Sequence, residues 1–385
     1  MAIIGGNAMK RRLLSFILLI ALLFSLASCG SAIVDDPSKN QGAPAVVLPE
    51  DSDFAVHFID VGQADASLVI CDGKTMLIDG GNVADSSVVY SYLKQNNITH
   101  LDYIIATHPH EDHIGGLSGA LNAATVGVAY SPVKSYDSGV FNTFVKHLSN
   151  RGVSITVPKV NDTFMLGSAK CTVLAVNTEN SDPNNLSIVL RIVYGETSFL
   201  FTGDAEREVE TALVARGAEL ESTVLKVGHH GSRSSTSYMF LREIMPKYAV
   251  IHVGNGNDYG HPTEEVLSRL RDADVTLYRT DIHGNIICVS TGKEVIFASE
   301  KNTGKDVFGG IGPNSVTNPI TEPKTEPSTE PSNVFTYVIN TNTGKFHYPD
   351  CSSAKSISDK NRKETKATRE ELLGQGYSPC GNCDP

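Results

Sequence analysis

Two catalytic signatures are missing from the 385-residue chain: it contains no G-x-S-x-G nucleophile elbow and no Walker-type phosphate loop. The local signals of an α/β-hydrolase serine and of P-loop nucleotide hydrolysis are therefore absent. Positive charge is also short, with 32 Lys and Arg against 43 Asp and Glu and a formal net charge of −11. That balance argues against broad electrostatic capture of nucleic acid, which rests on cations neutralising phosphates, but it does not forbid a local basic groove. Long apolar runs are absent except near the start, where Lys10-Arg11-Arg12 precede an apolar stretch over 13–26. This run is shorter than the about 20 residues a spanning helix needs, and it ends in Leu26-Ala27-Ser28-Cys29. A charged start, a short apolar core and small residues directly before Cys have the form of a bacterial lipoprotein signal.

The expectation is a signal peptide over 1–29, lipid attachment at Cys29, a polar tether over 30–53, and a mature protein on the extracellular face of the cytoplasmic membrane. A hydrophobic content of 41% suits a well-packed core. From about 54 to 300, short apolar runs alternate with amphipathic stretches, which predicts a mixed α/β layer fold. Strands are expected at 55–61, 67–70, 75–78, 103–107, 187–194, 198–202, 223–227 and 248–253, and helices at 206–216 and 263–272. Cys71, Cys171 and Cys288 fall singly in strand-like runs and read as inert core residues. Residues 301–333 lose periodicity and repeat Thr-Glu-Pro, which predicts an extended linker before a compact tail over 334–385.

Residues 107–116 read Thr-His-Pro-His-Glu-Asp-His-Ile-Gly-Gly, placing His108, His110, Asp112 and His113 within six positions. Imidazoles and a carboxylate are the ligands that cations such as zinc prefer, and the run sits between a strand-like and a helix-like segment, where catalytic loops belong. Further candidates follow at strand ends: Asp204 in Thr202-Gly203-Asp204, His229 and His230 after the strand at 223–227, and His261 just before a helix. The sequence does not decide between His229 and His230. Asp60, Asp65 and Asp79 near strand ends would suit partners that orient ligands, or turns and caps. Lys226, Ser232, Arg233 and Ser234 would suit contacts to a phosphate.

The His108-x-His110-x-Asp112-His113 run resembles the signature of the metallo-β-lactamase superfamily. Phe58-Ile59-Asp60-Val61-Gly62-Gln63-Ala64-Asp65, Met76-Leu77-Ile78-Asp79-Gly80-Gly81, Asn184-Asn185-Leu186-Ser187, Val227-Gly228-His229-His230-Gly231-Ser232 and Tyr259-Gly260-His261-Pro262 narrow the resemblance to the branch of the ComEC/Rec2 competence proteins. The resemblance implies an αββα sandwich with two divalent metals, zinc or manganese, at one edge. It implies His108 and His110 on the first metal, Asp112, His113 and His261 on the second, Asp204 bridging them, and hydrolysis by a metal-bound hydroxide. Asp112, Asp204 and Lys226 are then the candidate catalytic residues. Two departures stand out. Ala64 takes a place where the branch often has Gly, harmless if the backbone there keeps a negative φ. Asn184 or Asn185 stands where the first metal's third histidine is expected, and an amide oxygen is a weaker ligand.

In the tail, His347-x3-Cys351 and Cys380-Gly381-Asn382-Cys383 give four soft ligands as two short-spaced pairs. A structural zinc fits that set better than a disulfide, because three cysteines leave one unpaired while His347 completes a tetrahedron. The ending Tyr377-Ser378-Pro379-Cys380-x-x-Cys383 resembles the zinc module of Ada DNA-repair methyltransferases, with His347 in place of the first cysteine. Lys355, Lys360, Arg362, Lys363, Lys366 and Arg369 make its middle basic, expected as a helical face that is solvated or meets phosphates. The expected function is a lipid-anchored phosphodiesterase or nuclease acting on DNA, with no protein partner inferred. The alternatives are a cell-envelope phosphodiesterase or esterase acting on teichoic acid or choline phosphate, and a noncatalytic binding lipoprotein.

Overall fold

The computed structural model describes residues 53–301, 306–309, 335–349, 351–367, 371–372 and 375–380. Cys29, the tether, the Thr-Glu-Pro repeats, Arg369 and Cys383 lie outside them. The chain divides into two compact units, Met1–Pro313 and Asn314–Pro385. Among the described residues no helix is long and apolar enough to cross a membrane.

Strands of the first unit bury both faces, and their sequences show it in successive residues that go to different cores. Leu68 packs outward under helices while Val69 packs between the sheets; Leu225 and Val224, and Leu200 and Phe199, split the same way. An eight-stranded sheet runs in the order Val295–Ser299, Ile286–Ser290, Phe54–Phe58, Ser67–Cys71, Lys74–Ile78, His100–Ile105, Thr125–Tyr130, Ile155–Thr156. A seven-stranded sheet runs Thr276–Arg279, Tyr248–Ile251, Val224–Lys226, Thr197–Phe201, Val189–Tyr194, Ala169–Ala175, Thr163–Leu166. Between them Phe54, Phe58 and Met76 meet Cys171, Ile192, Phe199 and Phe201, each fully buried apolar side chain contributing about 1.5–3 kcal/mol.

Helices Ser86–Gln95, Leu117–Ala123 and Gly139–Ser149 close the outer face of the first sheet through residues such as Leu93, Leu117 and Phe144. Arg207–Ala215, Tyr238–Ile244 and Glu264–Asp272 close the other through Leu213, Phe240 and Leu270. The architecture is the αββα sandwich, and Cys71, Cys171 and Cys288 are buried strand residues within it. Lys74–Ile78 and His100–Ile105 pair in parallel, as do Thr197–Phe201, Val224–Lys226 and Tyr248–Ile251. Parallel neighbours carry their carboxyl ends to the same side, so the loops after them gather at a shared edge.

In the second unit a four-stranded sheet runs Arg362–Ala367, Phe335–Asn340, Lys345–His347, Ser378–Pro379. The expectation of a helical basic face is corrected here. Arg362–Ala367 is an edge strand with Lys363 and Lys366 exposed, Lys360 lies in a single turn of 3₁₀ helix, and only Lys355 ends a short helix. Lysines on an edge strand also discourage pairing with other chains.

Candidate metal centre

The loop after His100–Ile105 carries the His-x-His-x-Asp-His run across the end of the eight-stranded sheet, and Gly115 and Gly116 let it lie there. A Cβ at Gly116 would stand 1.9 Å from the Gly80 carbonyl oxygen and one at Gly115 2.3 Å from the Val83 nitrogen. With both glycines in place, Gly80 N donates to His113 O at 2.7 Å and Gly116 N to Gly81 O at 2.9 Å. The backbone at Ala64 stays out of the positive-φ region, so alanine is unstrained there.

Asp112, His113, Asp204 and His230 form a compact group. His113 Nε2 lies 3.2 Å from Asp204 Oδ1 and 3.8 Å from Asp112 Oδ2; His230 Nε2 lies 3.2 Å from Asp112 Oδ2 and 3.8 Å from Asp204 Oδ2. Metal–ligand bonds of about 2.0–2.2 Å at tetrahedral angles place neighbouring ligand atoms about 3.3–3.6 Å apart, so these four edges have the size of a cation seat. His113 Nε2 and Asp204 Oδ1 are buried without a hydrogen-bond partner, as ligand atoms reserved for a metal would be. Beside this seat His108 Nε2 lies 3.0 Å from His110 Nδ1 and 3.9 Å from Asp204 Oδ2, and His229 Nε2 lies 3.7 Å from the same oxygen. Asp204 therefore turns Oδ1 toward His113 and Oδ2 toward His108, His229 and His230, which places one carboxylate between both groups of imidazoles.

The buried carboxylates favour positive charge in the pocket, which protons on His113 and His230 supply here and which a bound cation would replace. Burial lowers His230, but Asp204 and Asp65 override it and push the imidazole up to about 10. Burial opposes ionisation of Asp204, yet His113 and His230 hold its carboxyl well below the usual carboxylate range. Burial raises Asp112 as well, and His113 and His230 bring it down to about 2. Burial, aided by His113, holds His108 well below its ordinary value, in the neutral form a metal ligand requires.

Three of the imidazoles are oriented from behind. Asp79 accepts from Thr107 N at 2.8 Å, Thr107 Oγ1 at 2.7 Å and His113 Nδ1 at 2.8 Å. His230 Nδ1 lies 3.2 Å from Asp65 Oδ1 and 3.1 Å from the His252 carbonyl; His229 Nδ1 lies 3.3 Å from Glu206 Oε1. Carboxylates in this position fix the ring and its tautomer. Buried Glu210 accepts from Thr236 N and Ser237 N, and Arg269 Nη1 donates to the Ser235 and Thr236 carbonyls, so two helices clamp the chain just after the histidine pair. His229 and His230 both lie in the left-handed region, at φ 50 and 53, which costs about 1–3 kcal/mol for each such residue.

Asp79 itself has φ 58, which Asn tolerates, so Asp79→Asn changes the charge behind His113 without straining the backbone. We expect metal affinity to fall about 10- to 100-fold by calorimetric titration, with secondary structure unchanged. An unaltered affinity would remove Asp79 from the centre.

Three expectations are corrected. His230, not His261, occupies the compact group; His261 stands one ring farther out, 5.8 Å from His229 between centroids, with Nδ1 buried and unpartnered. Asn185 Oδ1 already accepts from Glu206 N at 3.0 Å, which occupies one of its two lone pairs, whereas Asn184 Oδ1 is buried and unpartnered and is the better placed of the two amides. Lys226 cannot meet substrate: its ammonium is 2.6 Å from Asp65 Oδ2 and 2.9 Å from the Val227 carbonyl, and its side chain is 2% exposed. Sequence reasoning also missed Glu206, Glu210 and Arg269, which sit in helices whose charged residues look alike.

In the second unit His347, Cys351 and Cys380 bring one ligand atom each within 4.8 Å of one another, and all three are buried. His347 Nε2 has no hydrogen-bond partner and Nδ1 lies 3.8 Å from Cys351 Sγ. These residues fit a soft cation such as zinc.

Residues 59–167 match the metallo-β-lactamase superfamily. ComE operon protein 3 of Bacillus subtilis is 31% identical over 61% of this chain and 33% of its own length, and competence protein ComA of Neisseria gonorrhoeae is 33% identical over 62% and 32%. Recombination protein 2 of Haemophilus influenzae is 28% identical over 60% of this chain and 28% of its own. The chain thus spans about a third of the length of the relatives it matches. The sandwich unit has the metallo-β-lactamase fold, a fold of metal-dependent hydrolases, and its sequence is similar to the ComEC/Rec2 branch of that superfamily.

Proposed function

We propose that this chain is a phosphodiesterase that cleaves DNA outside the cytoplasmic membrane, tethered by lipid at Cys29. The observation that carries the reading is Asp204, whose two oxygens face different histidines at hydrogen-bond to ligand distances. Two divalent cations there, zinc or manganese, would supply Lewis-acid charge and an ionised water near neutral pH. His108, His110, Asp204 and His229 would hold one, and Asp112, His113, Asp204 and His230 the other. Asp79, Asp65 and Glu206 keep the ring nitrogens aimed, while the exposed Arg233 beside Ser232 and Ser234 is available to a phosphate oxygen. Relatives named for competence and recombination support DNA as substrate. In the tail, His347, Cys351 and Cys380, with Cys383 from sequence, would hold a structural zinc that staples a unit too small to be stable on its core alone.

Full-length protein supplied with manganese or zinc should degrade linear DNA, and chelation should abolish the activity. His110→Ala should reduce it on the order of a hundredfold or more. Cleavage of bis(p-nitrophenyl) phosphate with no action on DNA or RNA would move the substrate to the cell envelope. Inactivity on all three with metals bound would leave a binding protein.

A further inference from the structure

The segment from Gly254 to His261 follows the strand Tyr248–Ile251 and borders the metal centre. Asn257 holds it: Nδ2 donates to the Gly254 carbonyl at 2.9 Å and the His261 carbonyl at 2.6 Å, while Oδ1 accepts from Tyr259 N at 3.1 Å and His261 N at 3.0 Å. Gly254 N in turn donates to Gln63 Oε1 at 3.0 Å. A loop fixed at so many points would normally turn its apolar side chains inward. This one does the opposite, since Tyr259 is 73% exposed, the highest value of any large hydrophobic side chain among the described residues. One ring face rests on His261, 5.7 Å between centroids at 23°, and the other is open. His261 meets the edge of His229 at 5.8 Å, and His229 Nε2 is 3.7 Å from Asp204 Oδ2. An aromatic ring thus stands two rings from the shared carboxylate, on a loop whose backbone is fixed before any ligand arrives, and contributes nothing to a core.

We propose that Tyr259 is a stacking platform for a nucleobase flanking the scissile phosphodiester, with His261 backing the ring. The proposal rests on the phosphodiesterase reading and adds the substrate class: a strand whose base can be splayed onto an aromatic face. Stacking is tolerant of base identity because every base has a π-face. It also supplies affinity that does not come from cations, as a chain with a net charge of −11 requires for a polyanionic substrate. Preorganisation by Asn257 lowers the entropy lost on binding.

The test uses full-length protein with manganese, a fluorescent oligothymidylate, and a strand of the same length and backbone made of abasic residues. Tyr259→Ala should raise KM for oligothymidylate about 5- to 150-fold, keep kcat within about twofold, and leave the abasic strand cleaved as by wild type. Tyr259→Phe should behave as wild type on both. An unchanged KM for oligothymidylate in Tyr259→Ala, or an equal loss on both strands, overturns the platform while leaving the nuclease reading intact. If wild type cleaves neither strand, the nuclease reading fails and the platform falls with it.

Discussion

Asp204→Ala should lower kcat for phosphodiester cleavage about a thousandfold or more, equivalent to roughly 4 kcal/mol of transition-state stabilisation, and should cut the metal bound by the sandwich unit from two equivalents to one or none, beside the zinc proposed for the tail. The reason is geometric. Asp204 is the carboxylate whose oxygens lie 3.2 Å from His113 Nε2 and 3.7 to 3.9 Å from His229, His230 and His108. Among the described residues no other carboxylate lies within 4 Å of both groups of imidazoles, so its loss removes charge from both seats together. Asp204→Asn keeps the volume and should lose almost as much activity, which separates charge from packing. Elemental analysis alongside kinetics checks both halves; three equivalents retained, the tail zinc included, with activity near wild type would refute the shared-carboxylate assignment.

Lys226→Met should destabilise the protein by roughly 3–5 kcal/mol, the loss expected when one member of a buried pair is left alone. Lys226 and Asp65 side chains are 2% and 6% exposed, and 2.6 Å separates their charged atoms. Solvent screening therefore gives little relief. Burial alone would raise the Asp65 carboxyl, but Lys226 and then His230 override it and hold the group far below the usual carboxylate range. A depressed folded value means that this stabilisation is complete above the unfolded pKa, about 3.9, and is lost as pH falls from there toward the folded value. The acid limb of the wild-type stability profile should thus flatten in Lys226→Met. Adding Asp65→Leu should restore most of the stability while leaving His230 without its orienting carboxylate. Denaturant midpoints across pH measure all three forms, and a loss under about 1 kcal/mol for the single variant would refute the argument.

The two predictions also divide the molecule into what its sequence discloses and what it hides. His108, His110, Asp112 and His113 are legible because the chemistry is local, compressed into one turn of chain. The sandwich is legible from paired apolar runs and from the resemblance they carry. Asp79 is less so, because its partners Thr107 and His113 lie 28 and 34 residues away. Lys226 misled for the same reason: a lysine at a strand end reads as a phosphate contact until Asp65, 161 positions earlier, is found beneath it. Neither histidine of the 229–230 pair could be chosen from sequence, since the left-handed backbone there brings both Nε2 atoms to Asp204 Oδ2, at 3.7 and 3.8 Å. Helices Ser86–Gln95 and Gly139–Ser149 escaped because Val88, Val89, Tyr90 and Tyr92, and Val140, Phe141, Thr143 and Phe144, are weak helix formers held by packing rather than propensity. The basic tail segment is an edge strand in which Ala367 is the one buried residue, and a strand so exposed shows no apolar alternation in its sequence.

The conformation of His229 and His230 sets a ceiling on heat tolerance. Glycine would relax either position, so a search for hardier variants that ignored chemistry would be drawn to that pair and would erase the imidazoles that face Asp204. Robustness and turnover compete at two adjacent codons, and the most durable version of this fold would be an inert one.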